Sequence, residues 1–320
     1  MNALCSFSQT FFGVLMLVFT ACSDSPVVDS DAPVVDVEQL LLDLTFLSSD
    51  DLEGRRTGTD GSRAAAEMIG NRFHELGLGR FNPEYRQPFR HENPRTGESF
   101  ETAVNLVGYL EGRQDPDRFI VVTAHYDHLG VVDGEIYNGA DDNASGTAGL
   151  LEIARWFAAN PPESSMLFVT FDAEEQGLGG SAYFVDNSPV PLDSIVVNVN
   201  LDMISNSPDN KLFAVGTSHY GFLKPFIIEA SEGAPVQMLF GYDTPEAPQD
   251  WTFASDHGPF HQKGIPFIYF GVEDHPQYHR PGDTAESIQP DFFVNATETI
   301  LAVVQHLDQN LEQIDALSNR

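Results

Sequence analysis

The stretch Phe119–His128, FIVVTAHYDH, sets six uncharged residues before two histidines, a tyrosine and an aspartate. A short unbroken apolar run of this kind reads as a strand buried on both faces. Three further runs end the same way. MLFVTF (Met166–Phe171) leads to Asp172, Glu174 and Glu175, and SIVVNVNL (Ser194–Leu201) leads to Asp202. IPFIYF (Ile265–Phe270) leads to Glu273, Asp274, His275 and then His279. Asn105–Leu110 reads as one more strand.

Helical patterns lie between and around these runs. Residues 37–79 are helical in pattern, with Ala65, Met68, Ile69, Phe73 and Leu76 on one stripe and Gly77 as a stop. A helix starting near Ser145 places Leu150, Ile153 and Phe157 on one face. A closing helix carries Phe293, Thr297, Ile300, Val304 and Leu307. Strands alternating with amphipathic helices predict an α/β fold: a single domain with a mostly parallel mixed central sheet and helices on both faces.

In open sheets of this class, ligands bind beyond the carboxyl ends of the strands. Four strands thus deliver histidines and carboxylates to one rim. The segment NGADDNASGTAG (Asn138–Gly149) opens a helix near the same edge, with Asp141 and Asp142 side by side among small residues. As an isolated fragment it supports two readings, a capped helix start or a metal ligand with room around it. The rim as a whole favours the second, because imidazoles and several carboxylates repel one another unless a cation neutralises them. Oxygen and nitrogen donors without sulfur suit zinc, with Co²⁺ or Mn²⁺ as substitutes.

Composition narrows the function classes. The chain has 320 residues and a net charge of −32, from 48 acidic and 16 basic residues. No basic stripe exists to meet phosphates, which argues against a nucleic-acid partner. Both cysteines, Cys5 and Cys22, fall in an opening without charged side chains. Within it, FFGVLMLVF (Phe11–Phe19) has the length of a signal-peptide core and is too short to span a bilayer. The ending FTAC resembles a bacterial lipobox, with Cys22 as the lipidated residue. The expected organisation is a signal peptide over 1–22, an acidic tether over 23–36 and a catalytic domain over 37–320. Such a protein is exported and either held at the bacterial envelope (outer membrane or periplasm) through Cys22 or secreted.

Taken in order, LSSDDLEGRRTGTDGSRAAAEMI, NLVGYLEG, AHYDHLG, NGADDNASGTAGLLEIAR, FDAEEQGLGGS, NLDM, SDHGPF and YHRPGDT resemble the dinuclear zinc aminopeptidases of metallopeptidase family twenty-eight. This group includes secreted bacterial leucine aminopeptidases. The likeness runs over nearly all of residues 40–308 and implies a zinc exopeptidase-like fold holding two Zn²⁺ per chain. It implies His125 and Asp202 on one zinc, Glu175 and His279 on the other, and Asp141 bridging both. Glu174 corresponds to the general base and Tyr278 to a tyrosine that donates to the developing oxyanion. Asp127 corresponds to the carboxylate that orients His125, and Asp142 to a residue that shapes and caps the turn.

Other residues have more modest readings. Met203 is a candidate for the substrate pocket, with core packing as the equal alternative. His128, His257 and His261 read as hydrogen-bonding or surface histidines, His275 as a surface one, and Asp256 as a supporting or turn residue. The implied function is an extracytoplasmic exopeptidase releasing N-terminal amino acids from peptides with a free N-terminus. Dipeptidase, carboxypeptidase or glutaminyl cyclase chemistry on the same fold is the alternative. A non-catalytic binding ectodomain is the reading from outside the enzymes. Side-chain preference, oligomeric state and any calcium site are not legible.

Overall fold

The computed structural model describes Met1 and residues 35–318. Apart from Met1, the expected signal peptide, with its expected lipidation at Cys22, and most of the tether lie outside the described residues. Among the described residues no helix is long and apolar enough to cross a membrane.

The packed chain begins before the expected boundary at residue 37, since Val35 is already fully buried. Asp36 caps helix α1 (Val37–Leu47) by accepting from the Gln39 backbone N–H at 3.1 Å. The helical pattern read across 37–79 is broken between Leu47 and Asp60. A tight 3-10 turn, Asp50–Arg55, intervenes before α2 (Asp60–Glu75). Its left-handed residues, Glu53 at φ +46° and Gly54 at φ +68°, turn the chain so that two helices replace one.

Strands β1 (Gly79–Arg80), β2 (Arg86–Glu92), β3 (Ser99–Leu110) and β4 (Asp115–His125) follow, then the small hairpin β5 (Gly130–Val132) and β6 (Glu135–Tyr137). A turn with π-type bonding over Ala140–Ser145 leads into α3 (Gly146–Ala159). The remaining elements are β7 (Ser164–Phe171), α4 (Gly179–Asp186), β8 (Ile195–Leu201), β9 (Lys211–Val215) and α5 (Lys224–Ala230). After them come β10 (Gln237–Phe240), α6 (His257–Gln262), β11 (Phe267–Gly271), α7 (Pro290–Gln309) and α8 (Leu311–Ser318).

The main sheet runs β1-β3-β7-β4-β8-β11-β9-β10, with β2 paired to β3 at its edge. Its centre, β7-β4-β8-β11, is parallel, while β3 joins β7 and β9 joins β11 antiparallel. Alternation along β4 explains the layers: Ile120, Val122 and Ala124 pack into the larger core under α1, α2, α3 and α7. Val121 points the other way, toward Phe184 of α4 and Phe260 of α6. The mixed sheet covered on both faces agrees with the expected architecture. All four parallel strands end at one edge, each just ahead of its polar residues.

Candidate metal centre

The centre is assembled at that edge from five loops. His125 closes β4, and its carbonyl oxygen accepts from Thr147 Oγ1 of α3 at 2.7 Å. The His125 ring sets its Nδ1 3.1 Å from the Asp127 carbonyl oxygen. A carbonyl only accepts, so Nδ1 carries the proton and Nε2 keeps its lone pair for the cavity. That Nε2 lies 3.4 Å from Asp202 Oδ1 and 3.4 Å from Asp142 Oδ1. On the other side, His279 Nε2 lies 3.0 Å from Asp142 Oδ2 and 3.5 Å from Glu175 Oε1. The two oxygens of Asp142 therefore face two different donor groups.

This corrects the expectation for the paired aspartates. Asp141 does not face the cluster. Its Oδ1 accepts from the Ser205 N–H at 2.7 Å and from Ser205 Oγ at 2.8 Å, and its Oδ2 lies 3.0 Å from His275 Nε2. It is Asp142 whose oxygens face the cluster between His125 and His279, and a cis peptide joins it to Asn143. The inversion is set by residues distant in sequence. Both backbone N–H groups of the pair donate to the carboxylate of Asp283, at 2.9 and 3.1 Å, which fixes the turn. Burial beside Asp141 pushes the Asp283 carboxyl up to about 6. The small residues have their use here: a side chain on Gly146 would put Cβ 2.3 Å from the Leu201 carbonyl oxygen.

Beneath the turn lies Arg55, fully buried. Its guanidinium donates to the carbonyl oxygens of Tyr126 at 2.8 Å, Gly139 at 3.0 Å, Asn138 and Leu47. It ties the end of β4, the entry to the aspartate turn and the end of α1 to one point. Burial pulls it down to about 10, where it remains charged at neutral pH.

Asp127 supports the site differently from expectation. Its carboxylate is 3.8 Å from His125 Nδ1, outside hydrogen-bonding range. Oδ1 accepts instead from the Glu174 backbone N–H at 3.0 Å, so Asp127 positions the loop of the expected base. Glu174 forms a compact group with His125 and Asp202, their donor atoms within 4.8 Å of one another. Burial, opposed by His125 and reinforced by Asp256, Glu175 and Asp202, raises its carboxyl well above the usual range.

His128 was read as an ordinary histidine, yet it is fully buried with Nδ1 2.7 Å from Glu175 Oε1. The two are not aligned as a hydrogen bond, and neither ring nitrogen has a hydrogen-bond partner. It groups with Asp142 and Glu175 as possible metal donors. His275, expected at the surface, is 9% exposed and serves Asp141. His257 and His261 stand outside the cluster, bonded to the Trp251 carbonyl oxygen and to the Tyr220 hydroxyl. Asp256 is fully buried beside them in sequence, and burial pushes it up to about 7.

The donors open onto a cavity of about 330 Å³. Met203 lines it, at φ +62°, as do Tyr278, Trp251 and Phe253. The Tyr278 ring stacks on His279 with centroids 3.9 Å apart. Burial and the nearby carboxylates raise its hydroxyl, which is therefore a donor at any ordinary pH.

These residues fit a pair of divalent cations. Glu175 Oε1 and His128 Nδ1 meet each other at 2.7 Å as an ion pair, while Asp202 Oδ1 and His128 Nε2 are buried without hydrogen-bond partners, a need that a cation would meet. Protons respond to the same need: although burial opposes it, Asp142 and Glu175 push His279 up to about 10. Burial would raise Glu175, but His128 and His279 hold it far below the usual carboxylate range.

Comparison with known proteins gives the family. Residues 105–304 match the model of Peptidase family M28. The chain is 33% identical over 213 residues to Aminopeptidase YwaD of Bacillus subtilis, covering 64% of this chain and 44% of that protein. It thus spans less than half the length of that relative. Among solved structures it is similar to BSAP, a zinc aminopeptidase from Bacillus subtilis, with TM-score 0.67 and 21% identity over 84% of this chain and 94% of that one. It is also similar to Porphyromonas gingivalis glutaminyl cyclase, with TM-score 0.70 and 19% identity over 85% and 99% of the two chains. At such identities the two structures speak for the fold alone, and the family rests on the sequence match. With the motifs, the fold and the donor cluster in agreement, this chain belongs to peptidase family M28.

Proposed function

We propose that the protein is an exported dinuclear zinc aminopeptidase that removes N-terminal residues from peptides. The observation that carries the reading is Asp142, whose two oxygens face separate donor groups, His125 with Asp202 and Glu175 with His279. Two zinc ions held by these residues would supply an acidified water and polarisation of the scissile carbonyl. Glu174 takes the proton from the attacking water and returns it to the leaving amine. Tyr278 donates its hydroxyl proton to the oxygen that gains charge. The acidic rim meets the free α-amine of the substrate, which makes the N-terminus the point of attack. Co²⁺ or Mn²⁺ substitutes for zinc in the same donor set.

The export part rests on Phe11–Phe19 and Cys22, with a lipid on Cys22 as the only membrane attachment. Replacing Cys22 with Ala is expected to release the protein from membranes; a wild-type protein free in the medium would remove the anchor and leave export standing. The catalytic part is tested with aminoacyl, N-blocked and N-glutaminyl substrates on zinc-loaded protein. Release of N-terminal residues from unblocked substrates alone is expected. Cleavage of N-blocked peptides from the C-terminus, or cyclisation of N-terminal glutamine, overturns the reading.

A further inference from the structure

Five carboxylates line the cavity (Asp142, Glu174, Glu175, Asp202 and Asp274), and one cationic side chain of the Lys/Arg type joins them, Arg95. Arg95 sits at the tip of the β2–β3 hairpin. Its neighbours there are paired, Arg86 with Glu84 and Arg90 with Glu101, and Arg56 reaches Glu98. Arg95 alone of these forms no ion pair among the described residues. Other arginines also lack an ion pair among the described residues, but Arg95 is the one that lines the cavity with the five carboxylates.

The tip is not a loose loop. Asn93 Oδ1 accepts from the backbone N–H of Arg95 at 2.9 Å and of Thr96 at 3.1 Å. The hairpin is fastened to the loop that carries the base. Asn93 Nδ2 donates to Gln176 Oε1 at 3.2 Å, and His91 Nε2 lies 2.9 Å from the Gln176 carbonyl oxygen. Pro94 lies so close to Gly177 that a Cβ there would stand 3.0 Å from the proline ring. The Arg95 backbone therefore keeps a fixed place relative to Glu174 and Glu175, two and one residues before Gln176, and its exposed side chain is left to reach the cavity.

We propose that Arg95 binds a carboxylate of the substrate, so that the cavity recognises a zwitterion: amine at the acidic rim, carboxylate at the guanidinium. The proposal rests on the aminopeptidase reading and names its substrate class. The arginine fork matches a carboxylate with two parallel hydrogen bonds, and no other cavity group offers that. A volume of about 330 Å³ is at the small end for ligand sites, which run roughly 300–1,000 Å³. It holds one or two residues beyond the scissile bond, and a di- or tripeptide brings its terminal carboxylate within such a space. An acidic side chain after the scissile bond carries the same chemistry.

The test compares zinc-loaded wild type with Arg95→Gln on two matched pairs at one ionic strength. Leu-Gly against Leu-Gly amide reports a terminal carboxylate, and Leu-Glu amide against Leu-Gln amide reports a side-chain one. In the wild type, kcat/KM is expected to favour the acid member of at least one pair by about tenfold, mainly through KM. That is the lower end for a hydrogen bond to a charged group, as suits an exposed arginine. In Arg95→Gln the ratio is expected to collapse toward one. Equal rates within both wild-type pairs, or an acid preference that survives the substitution, overturn the proposal. Calorimetric binding of the same pairs to Glu174→Gln separates this from the catalytic reading. If wild type hydrolyses none of the substrates, the aminopeptidase reading falls and the binding ratio still decides the role of Arg95.

Discussion

Around Asp141 both carboxylate oxygens are met by groups of the chain, Ser205 on one and His275 on the other. Around Asp142, one residue later, oxygens meet oxygens and imidazoles, and buried atoms of Glu175, Asp202 and His128 have no hydrogen-bond partner. The first surrounding is a finished structural network. The second is a set of donors that cations would satisfy. A carboxylate type or a sequence neighbourhood does not distinguish them; the partners do.

The largest expected effect comes from exchanging the roles. Asp142→Asn leaves one oxygen on a carboxamide and removes the charge that would serve both proposed ions. Zinc content is expected to fall from two equivalents to fewer than one, with activity at background. Asp141→Asn keeps the rim intact and perturbs only its support, so a loss of about 10–100-fold in metal affinity or activity is expected. Elemental analysis and kcat on both variants in one buffer decide the matter. If Asp141→Asn empties the site and Asp142→Asn stays loaded, the bridge is on the first aspartate.

Glu174 and Glu175 sharpen the same contrast on the next loop. Glu174→Gln preserves shape and leaves the proposed ligands in place, so both ions are expected to stay. Its kcat is expected to fall by roughly 10²–10⁴-fold, the usual worth of a positioned acid–base group. Glu175→Gln weakens a ligand, and zinc content and thermal stability are expected to drop along with activity. An emptied Glu174→Gln protein beside a loaded but slow Glu175→Gln one would reverse the assignment of base and ligand.

The fold was legible because its strands are buried on both sides and read as unbroken apolar runs. The rim was legible because each run ends in polar residues with no role in the core. What could not be read was the facing of single residues. Asp141 and Asp142 differ only by a backbone turn that Asp283 and Ser205 fix from 142 and 64 positions away. Arg55 and Arg56 are adjacent and alike, yet one is wholly buried under the aspartate turn and the other pairs with Glu98 near the surface. Asp283 lies in the PGDT segment that carried part of the resemblance, and that signal could have marked it. His128 lies likewise in the AHYDHLG segment, whereas His275 left no such mark, since its environment exists only once distant loops meet.

His128 tests whether orphaned nitrogens in this rim signal a metal. Its ring lies 2.7 Å from Glu175 Oε1 and 3.8 Å from Asp142 Oδ2. His128→Ala is expected to weaken zinc binding by about 10–100-fold in chelator competition, the range for groups that tune a ligand. His128→Asn, which keeps a donor near Nδ1, is expected to recover part of that loss. An alanine variant with wild-type zinc affinity would make His128 a packing residue.

His257 supplies the contrasting case and the smallest functional effect. It too is fully buried with an unpartnered Nδ1, but no carboxylate forms an ion pair with it among the described residues. Its Nε2 lies 2.8 Å from the Trp251 carbonyl oxygen, and its ring stacks on Tyr269. Burial pulls its pKa down from 6.5 to about 4, so the folded protein holds it neutral. The unfolded chain then binds more protons than the folded one between those values, and stability rises with pH across that window. His257's contribution is fully present above pH 6.5 and is lost as pH falls toward 4. A shift of that size is worth on the order of 3 kcal/mol across the full window. Urea unfolding at pH 7.5 and pH 5, on wild type and His257→Gln at fixed zinc, is expected to show a smaller acid loss in the variant. The glutamine amide can still donate to the Trp251 carbonyl oxygen, so activity at neutral pH and zinc content are expected to change little. An acid loss equal in both proteins would place the pH dependence elsewhere, and a loss of zinc from His257→Gln would bring this histidine into the rim.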